Sequence, residues 1–140
     1  MSRPLYETSN DLRRETVFVE SLEAAWKMKA HKLGIKHFFD FACVRSGDVV
    51  SWLEVKERTT PSTKYDTYLL SFKKFEALRN ANIVTGIPGV LAVRFTDCDA
   101  YTVLAGKPDE VKMGGRVDRG DPGDIEPVVH IPIDKFRRIG

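Results

Sequence analysis

The tract from residue 35 to residue 56 constrains the fold more than any other. IKHFFDFACV is aromatic and β-branched, Arg45-Ser46-Gly47-Asp48 has turn chemistry, and VVSWLEVK alternates apolar with polar positions. Two such runs joined by a short polar turn form a β-hairpin, predicted as strands over 35–44 and 49–56. If the turn loops out Ser46, Gly47 and Asp48, Arg45 faces Val49. That register sets Asp40 opposite Glu54, with Cβ atoms about 5 Å apart. Alternation puts Glu54 and Lys56 on one face with Trp52, and Leu53 and Val55 on the other.

Two carboxylates held opposite each other repel unless a cation sits between them or one is protonated. The pair therefore points to a divalent metal, and oxygen donors suit Mg2+ or Mn2+. Upstream, Ser9 or Asn10 can cap a helix predicted over 11–31 and ended by Gly34. Its three-four spacing makes one stripe of Leu12, Glu15, Val19, Leu22 and Trp26. Four of these are apolar, so Glu15 is expected to face inward and to need a partner, for which the hairpin metal is the candidate. Glu20 and Glu23 fall on the polar side with Lys27 and read as solvated charges.

Pro61 and Ser62 open a second predicted helix over 62–80, with Tyr65, Leu69, Phe72, Phe75 and Leu78 on one face. VLAVRF and AYTVLA, around Asp97-Cys98-Asp99, predict a second hairpin. Residues 107–124 carry Gly114, Gly115, Gly120 and Gly123 among charges of both signs and predict an irregular C-terminal arm, with order recovered at 128–131. The arm's cations, Arg116, Arg119, Lys135, Arg137 and Arg138, could follow a phosphate backbone or cross to a partner subunit. The order helix, hairpin, helix, hairpin, tail reads as an α/β fold with a mixed sheet, not a repeating βαβ chain. No GxGxxG or P-loop opens either helix.

A chain of 140 residues, 42% hydrophobic, supports a single domain over 1–140, with its core at about 11–106 and its arm at about 107–140. No apolar run is long enough to span a membrane and no signal peptide opens the chain, so a cytoplasmic address is expected, in the host if the source is viral. Cys43 and Cys98 belong to no metal-binding cluster and are expected to be free thiols. Net charge is only +2, but its distribution is uneven. Between residues 56 and 79, Lys56, Arg58, Lys64, Lys73, Lys74 and Arg79 outnumber Glu57, Asp66 and Glu76, a region able to follow phosphates.

The segments RRETVFVESL, FFDFACV and WLEVKER, in this order and followed by a basic helix, resemble the PD-(D/E)XK nuclease superfamily. The layout is similar to small Holliday-junction resolvase-like and phage-encoded endonucleases, over residues 11–95. Phe39 stands where the superfamily name has proline. A second Glu-x-Lys, Glu110-Val111-Lys112, has no apolar strand or aspartate hairpin partner in the sequence and reads as chance.

The resemblance implies a restriction-endonuclease-like core, a mixed β-sheet flanked by helices. It implies metal ligation by Asp40, Glu54 and the Val55 backbone carbonyl, with Lys56 orienting or deprotonating the attacking water. Glu15 would complete the site directly or through water. Ser71 and Lys74 resemble auxiliary positions directed toward phosphate, beside Arg58, Lys64 and Lys73. The implied activity is metal-dependent hydrolysis of double-stranded or branched DNA by a homodimer, leaving 5′-phosphates. The alternative is a non-catalytic nucleic-acid-binding or assembly protein that retains the fold, with Glu54 and Lys56 forming only a salt bridge. RNA is a third substrate to compare.

Overall fold

The computed structural model describes residues 9–34, 39–115 and 125–139. The element order is α1 (Ser9–Trp26), β1 (Lys29–Lys32), β2 (Phe41–Arg45), β3 (Asp48–Glu57), β4 (Thr67–Ser71), α2 (Phe72–Thr85), β5 (Gly89–Arg94), β6 (Asp99–Leu104), β7 (Val111–Gly115), β8 (Ile125–Pro132), a 3-10 turn (Ile133–Lys135) and β9 (Arg137–Arg138). Six strands pair in the order β1-β2-β3-β5-β6-β9, and three in the order β4-β8-β7. Strands β3 and β5 run parallel while their other neighbours are antiparallel, so the main sheet is mixed.

Each face of that sheet is buried by a different layer. Phe18, Val19 and Leu22 of α1 pack on Leu53, Val55, Val90 and Ala92. On the opposite face, Phe75 and Leu78 of α2, with Tyr68, Leu70, Val129 and Ile131 of the small sheet, cover Leu91 and Val93. Strand β5 is apolar on both faces because both are covered, the pattern of a central strand. Its start lies hard against α2, where a Cβ added at Gly89 would meet the Leu78 carbonyl oxygen at 2.9 Å. Gly89→Ala is therefore expected to destabilise the fold by about 1–3 kcal/mol, the usual cost of overpacking, measurable by urea unfolding.

The hairpin forms as β2 and β3, but by a different route from the expected one. The turn is two residues, Ser46 and Gly47, both with positive φ (52° and 84°), and Arg45 pairs with Asp48. The register then shifts, from Val44↔Val49 to Cys43↔Ser51, leaving Val50 as an extra bulged residue. The shorter turn and the bulge cancel. Beyond Phe41↔Leu53, the next pair in sequence is still Asp40 with Glu54. Residues 35–38, expected to begin this strand, lie outside the described residues.

Other expectations change as well. Helix α1 stops at Trp26 rather than at residue 31, with Lys27 left-handed at φ 52°. Arg45 donates to the backbone oxygens of Trp26 and Lys27, answering carbonyls that the helix leaves open. The released residues form β1, the short edge strand that precedes the aspartate strand. Glu23, read as solvated, is half-buried and accepts the Ala30 N–H at 2.9 Å.

The predicted 62–80 helix is half strand. Tyr68 and Leu70 are buried while Tyr65 and Leu69 are exposed, a period of two that pairs β4 with β8, and helix begins only at Phe72. The expected irregular arm supplies β7, β8 and β9, and Glu110-Val111-Lys112 lies at the start of β7, not in a strandless loop. Arg116 and Arg119 lie outside the described residues, while Lys135 pairs with Asp109 and Arg138 with Asp97. Strands β5 and β6 form the predicted second hairpin. No helix among the described residues is long and apolar enough to cross a membrane.

Candidate active site

Strand alternation turns Leu53 and Val55 toward α1 and Glu54 toward α2. Glu54 is fully buried, and both its oxygens meet ammonium groups: Lys56 Nζ lies 3.4 Å from Oε2 and Lys74 Nζ 3.2 Å from Oε1. Lys56 is the same-face neighbour two residues along β3. Lys74 comes from the first turn of α2, four residues before buried Leu78 and hence on the helix's inward stripe. A carboxylate removed from water without compensation is very costly, and the two lysines provide that compensation.

Asp40 stands where β2 begins to pair with β3. In the β2–β3 register Val55 would face residue 39, which is outside the ladder. Asp40 supplies the missing acceptor, its Oδ2 taking the Val55 N–H at 3.2 Å. Its own N–H donates to the Leu53 carbonyl at 3.0 Å and its carbonyl accepts from Leu33 at 2.9 Å. The side chain is thus tied to the backbone beside Glu54, and the carboxylate keeps further lone pairs for other contacts.

Glu15, half-buried, is carried by α1, the helix that packs on the sheet face opposite to that of Glu54. It is engaged by Lys32 of β1, which pairs in register with Phe41, one residue from Asp40. Among the described residues, no three His, Cys, Asp or Glu side chains group as metal ligands, so Glu15, expected to complete the site directly or through water, does not group with Asp40 and Glu54 here. His31 and His130 are likewise in no such group, and His37 lies outside the described residues. Both cysteines are free, and burial pushes the Cys43 thiol up.

The expected phosphate-facing residues divide. Lys74 belongs to the Glu54 site itself. Ser71 ends β4 as the residue before α2 and makes no side-chain capping bond. Lys73 is exposed, and Lys64 lies 5.7 Å from the Tyr65 ring. Arg58, one same-face step beyond Lys56, stacks on the Tyr68 ring at 4.6 Å.

The loop after β3 is fastened by Ser62, whose backbone N–H and hydroxyl donate to Asp97 at 2.8 and 2.7 Å. Those bonds hold the Asp97 carboxyl below its ordinary range. A depressed folded-state pKa gives stability that is present above the unfolded value, about 3.9, and is lost as pH falls through the folded value. Ser62→Ala should therefore reduce the drop in Tm seen on acidification below about pH 4.

These contacts can be set beside known proteins. The family model described as "Phage putative PDDEXK endonuclease" matches residues 1–139. Among solved structures, the chain is similar to Archaeoglobus fulgidus Hjc, a Holliday junction resolvase from an archaeal hyperthermophile. The TM-score is 0.52 at 17% identity, covering 84% of this chain and 82% of that one. At that identity the likeness concerns the fold. No curated protein matches significantly.

Proposed function

This chain belongs to the phage PDDEXK endonuclease family, and on that premise we propose that it hydrolyses DNA phosphodiester bonds with Mg2+ or Mn2+ at a site built on Asp40, Glu54 and Lys56. The observation that carries this reading is the fully buried Glu54 between Lys56 and Lys74, at the register position opposite Asp40. A buried carboxylate flanked by two half-buried ammonium groups is a poor route to stability, since apolar residues of similar volume commonly do as well. Such clusters are more readily explained by chemistry.

The donor set fits a hard cation. Magnesium typically takes one or two protein carboxylates and keeps several waters, so Asp40, Glu54 and the Val55 carbonyl would hold it without a third acid. Once bound, it would supply Lewis-acid polarisation of the scissile phosphate. Lys56 orients the attacking water and offsets the negative charge that grows on the phosphate oxygens. Lys74 keeps Glu54 ionised and aligned. Glu15, held by Lys32, serves through water at the rim. Water adds to phosphorus as the bond to the 3′ oxygen breaks, giving a 5′-phosphate and a 3′-hydroxyl.

The substrate in this reading is double-stranded or branched DNA, cut in a structure-selective, resolvase-like way. Arg58, Lys64, Ser71 and Lys73 position its phosphates. The protein acts as a homodimer in the cytoplasm, because one site cuts one strand and paired cuts need two. A second reading draws on the same ion pairs: Lys56 and Lys74 can balance Glu54 unaided, as a non-catalytic nucleic-acid-binding or assembly protein would require. Incubation with branched and plasmid DNA, and with RNA in parallel, tests both. The expected result is magnesium-dependent cleavage of DNA that a chelator stops and Lys56→Ala loses. Wild-type rates from Lys56→Ala and Asp40→Asn would mark the activity as a contaminant and leave the second reading standing.

A further inference from the structure

We propose that the cleft beside this site is a pocket for an unpaired nucleobase, through which the protein selects branched or distorted DNA. The inference rests on the endonuclease reading and specifies what in the substrate is recognised. The cleft has a volume of about 410 Å³, within the range of roughly 300–1,000 Å³ typical of pockets that enclose small ligands. It opens where β3 ends. Glu54, Lys56 and Arg58 share one face, and Arg58 N–H donating to the Arg94 carbonyl at 2.9 Å extends the parallel ladder that far. Arg58, in the cleft wall, thus follows Lys56 by two residues, about 6.6 Å along the strand. A DNA strand seated at Lys56 would bring its neighbouring nucleotide to this mouth.

The walls have the chemistry of a stacking site. Tyr68 and Phe95 form a buried floor with their rings 6.3 Å apart at right angles. Tyr65, 62% exposed, and Leu69, 51% exposed, line the cleft and stand open to solvent, so a ring entering it can reach them. No aspartate or glutamate lines the cleft, whereas the Arg58 guanidinium does. The charge therefore favours a phosphate-bearing ligand. Polar atoms are sparse but available, with Thr67 Oγ1 and His130 Nδ1 3.4 Å apart across β4 and β8.

Aromatic walls with little hydrogen-bonding code suit any base, because every base offers a stacking face. A base inside an intact duplex cannot enter. One at a branch, mismatch or bulge is already partly unstacked, so turning it out costs least. The pocket therefore discriminates by DNA structure and not by sequence.

The test is binding of a duplex carrying one unpaired 2-aminopurine, against the fully paired duplex of the same sequence, in chelator so that nothing is cut. Wild type is expected to bind the bulged DNA more tightly and to alter its fluorescence. Tyr65→Ala, at an exposed position, should weaken binding of the bulged DNA by about tenfold, as expected for loss of one base–aromatic stack. Binding of paired DNA should stay within about twofold, and Tyr65→Phe should behave as wild type. Equal loss on both DNAs, or none on either, overturns the pocket and assigns the cleft another occupant. Absence of cleavage in magnesium with the bulge preference intact would instead reject the nuclease reading alone, and absence of any DNA binding rejects both.

Discussion

Asp40→Asn is expected to slow magnesium-dependent cleavage by at least about 10²-fold while the protein stays folded. The stabilisation that a catalytic metal supplies to a phosphate is worth several kcal/mol, and each 1.4 kcal/mol is a factor of about ten. Asparagine keeps the shape of the side chain and an oxygen to accept the Val55 N–H now bound by Asp40 Oδ2, but it loses the negative charge. The bond to Val55 weakens from charge-assisted to neutral, a stability cost of about 1 kcal/mol. Rate and stability therefore separate. Single-turnover cleavage and thermal unfolding on the same preparation check both, and an unchanged rate would remove Asp40 from the site.

Glu54→Gln is expected to cost about 3 kcal/mol of stability as well as activity. Glutamine fits the space but leaves the ammonium groups of Lys56 and Lys74, only 17% and 12% exposed, without their counter-charge. Losing one partner of a buried ion pair typically costs about 3–5 kcal/mol, and the lower end is expected because both lysines retain a path to water. Adding Lys74→Met should recover part of the loss, since one uncompensated charge is then gone. Urea unfolding of the two single variants and the double variant measures this coupling. A Glu54→Gln protein as stable as wild type would mean that the three charges are not coupled as their distances imply.

Much of the geometry of the candidate site is legible in the hairpin alone. The alternation of VVSWLEVK fixed which side Glu54 and Lys56 share, because a strand's side-chain period leaves no choice once one face is apolar. The pairing of Asp40 with Glu54 was also legible, though its expected basis was wrong: a two-residue turn and a bulge at Val50 replace a three-residue loop. The two-residue turn rests on left-handed backbone at Ser46 and Gly47, which polar turn composition does not specify. Helix α1 was read too long because its periodicity does not reveal that Arg45, far along the chain, caps it at Trp26 and Lys27.

Strand β4 is disguised in the sequence because Tyr65, Leu69 and Phe72 fall at helical spacing by accident, while the partner that makes it a strand, β8, lies some sixty residues on. The glycines of the tail similarly concealed β7. The ion pair of Lys74 with Glu54 is a contact that the sequence reading lacks, although the place of Lys74 on the Phe75 and Leu78 stripe marks it as inward-facing. Nothing in the sequence signalled the cleft, which residues from β4, β8 and the loop after β3 line together.

The most direct test of the account is where a divalent ion binds. Crystals soaked in manganese chloride, with anomalous scattering recorded, should show one strong peak within about 2.0–2.3 Å of both an Asp40 and a Glu54 oxygen, and no peak there in Asp40→Asn. An ion bound at Glu15 and away from Asp40, or none within reach of Asp40 while manganese supports cleavage, would contradict it.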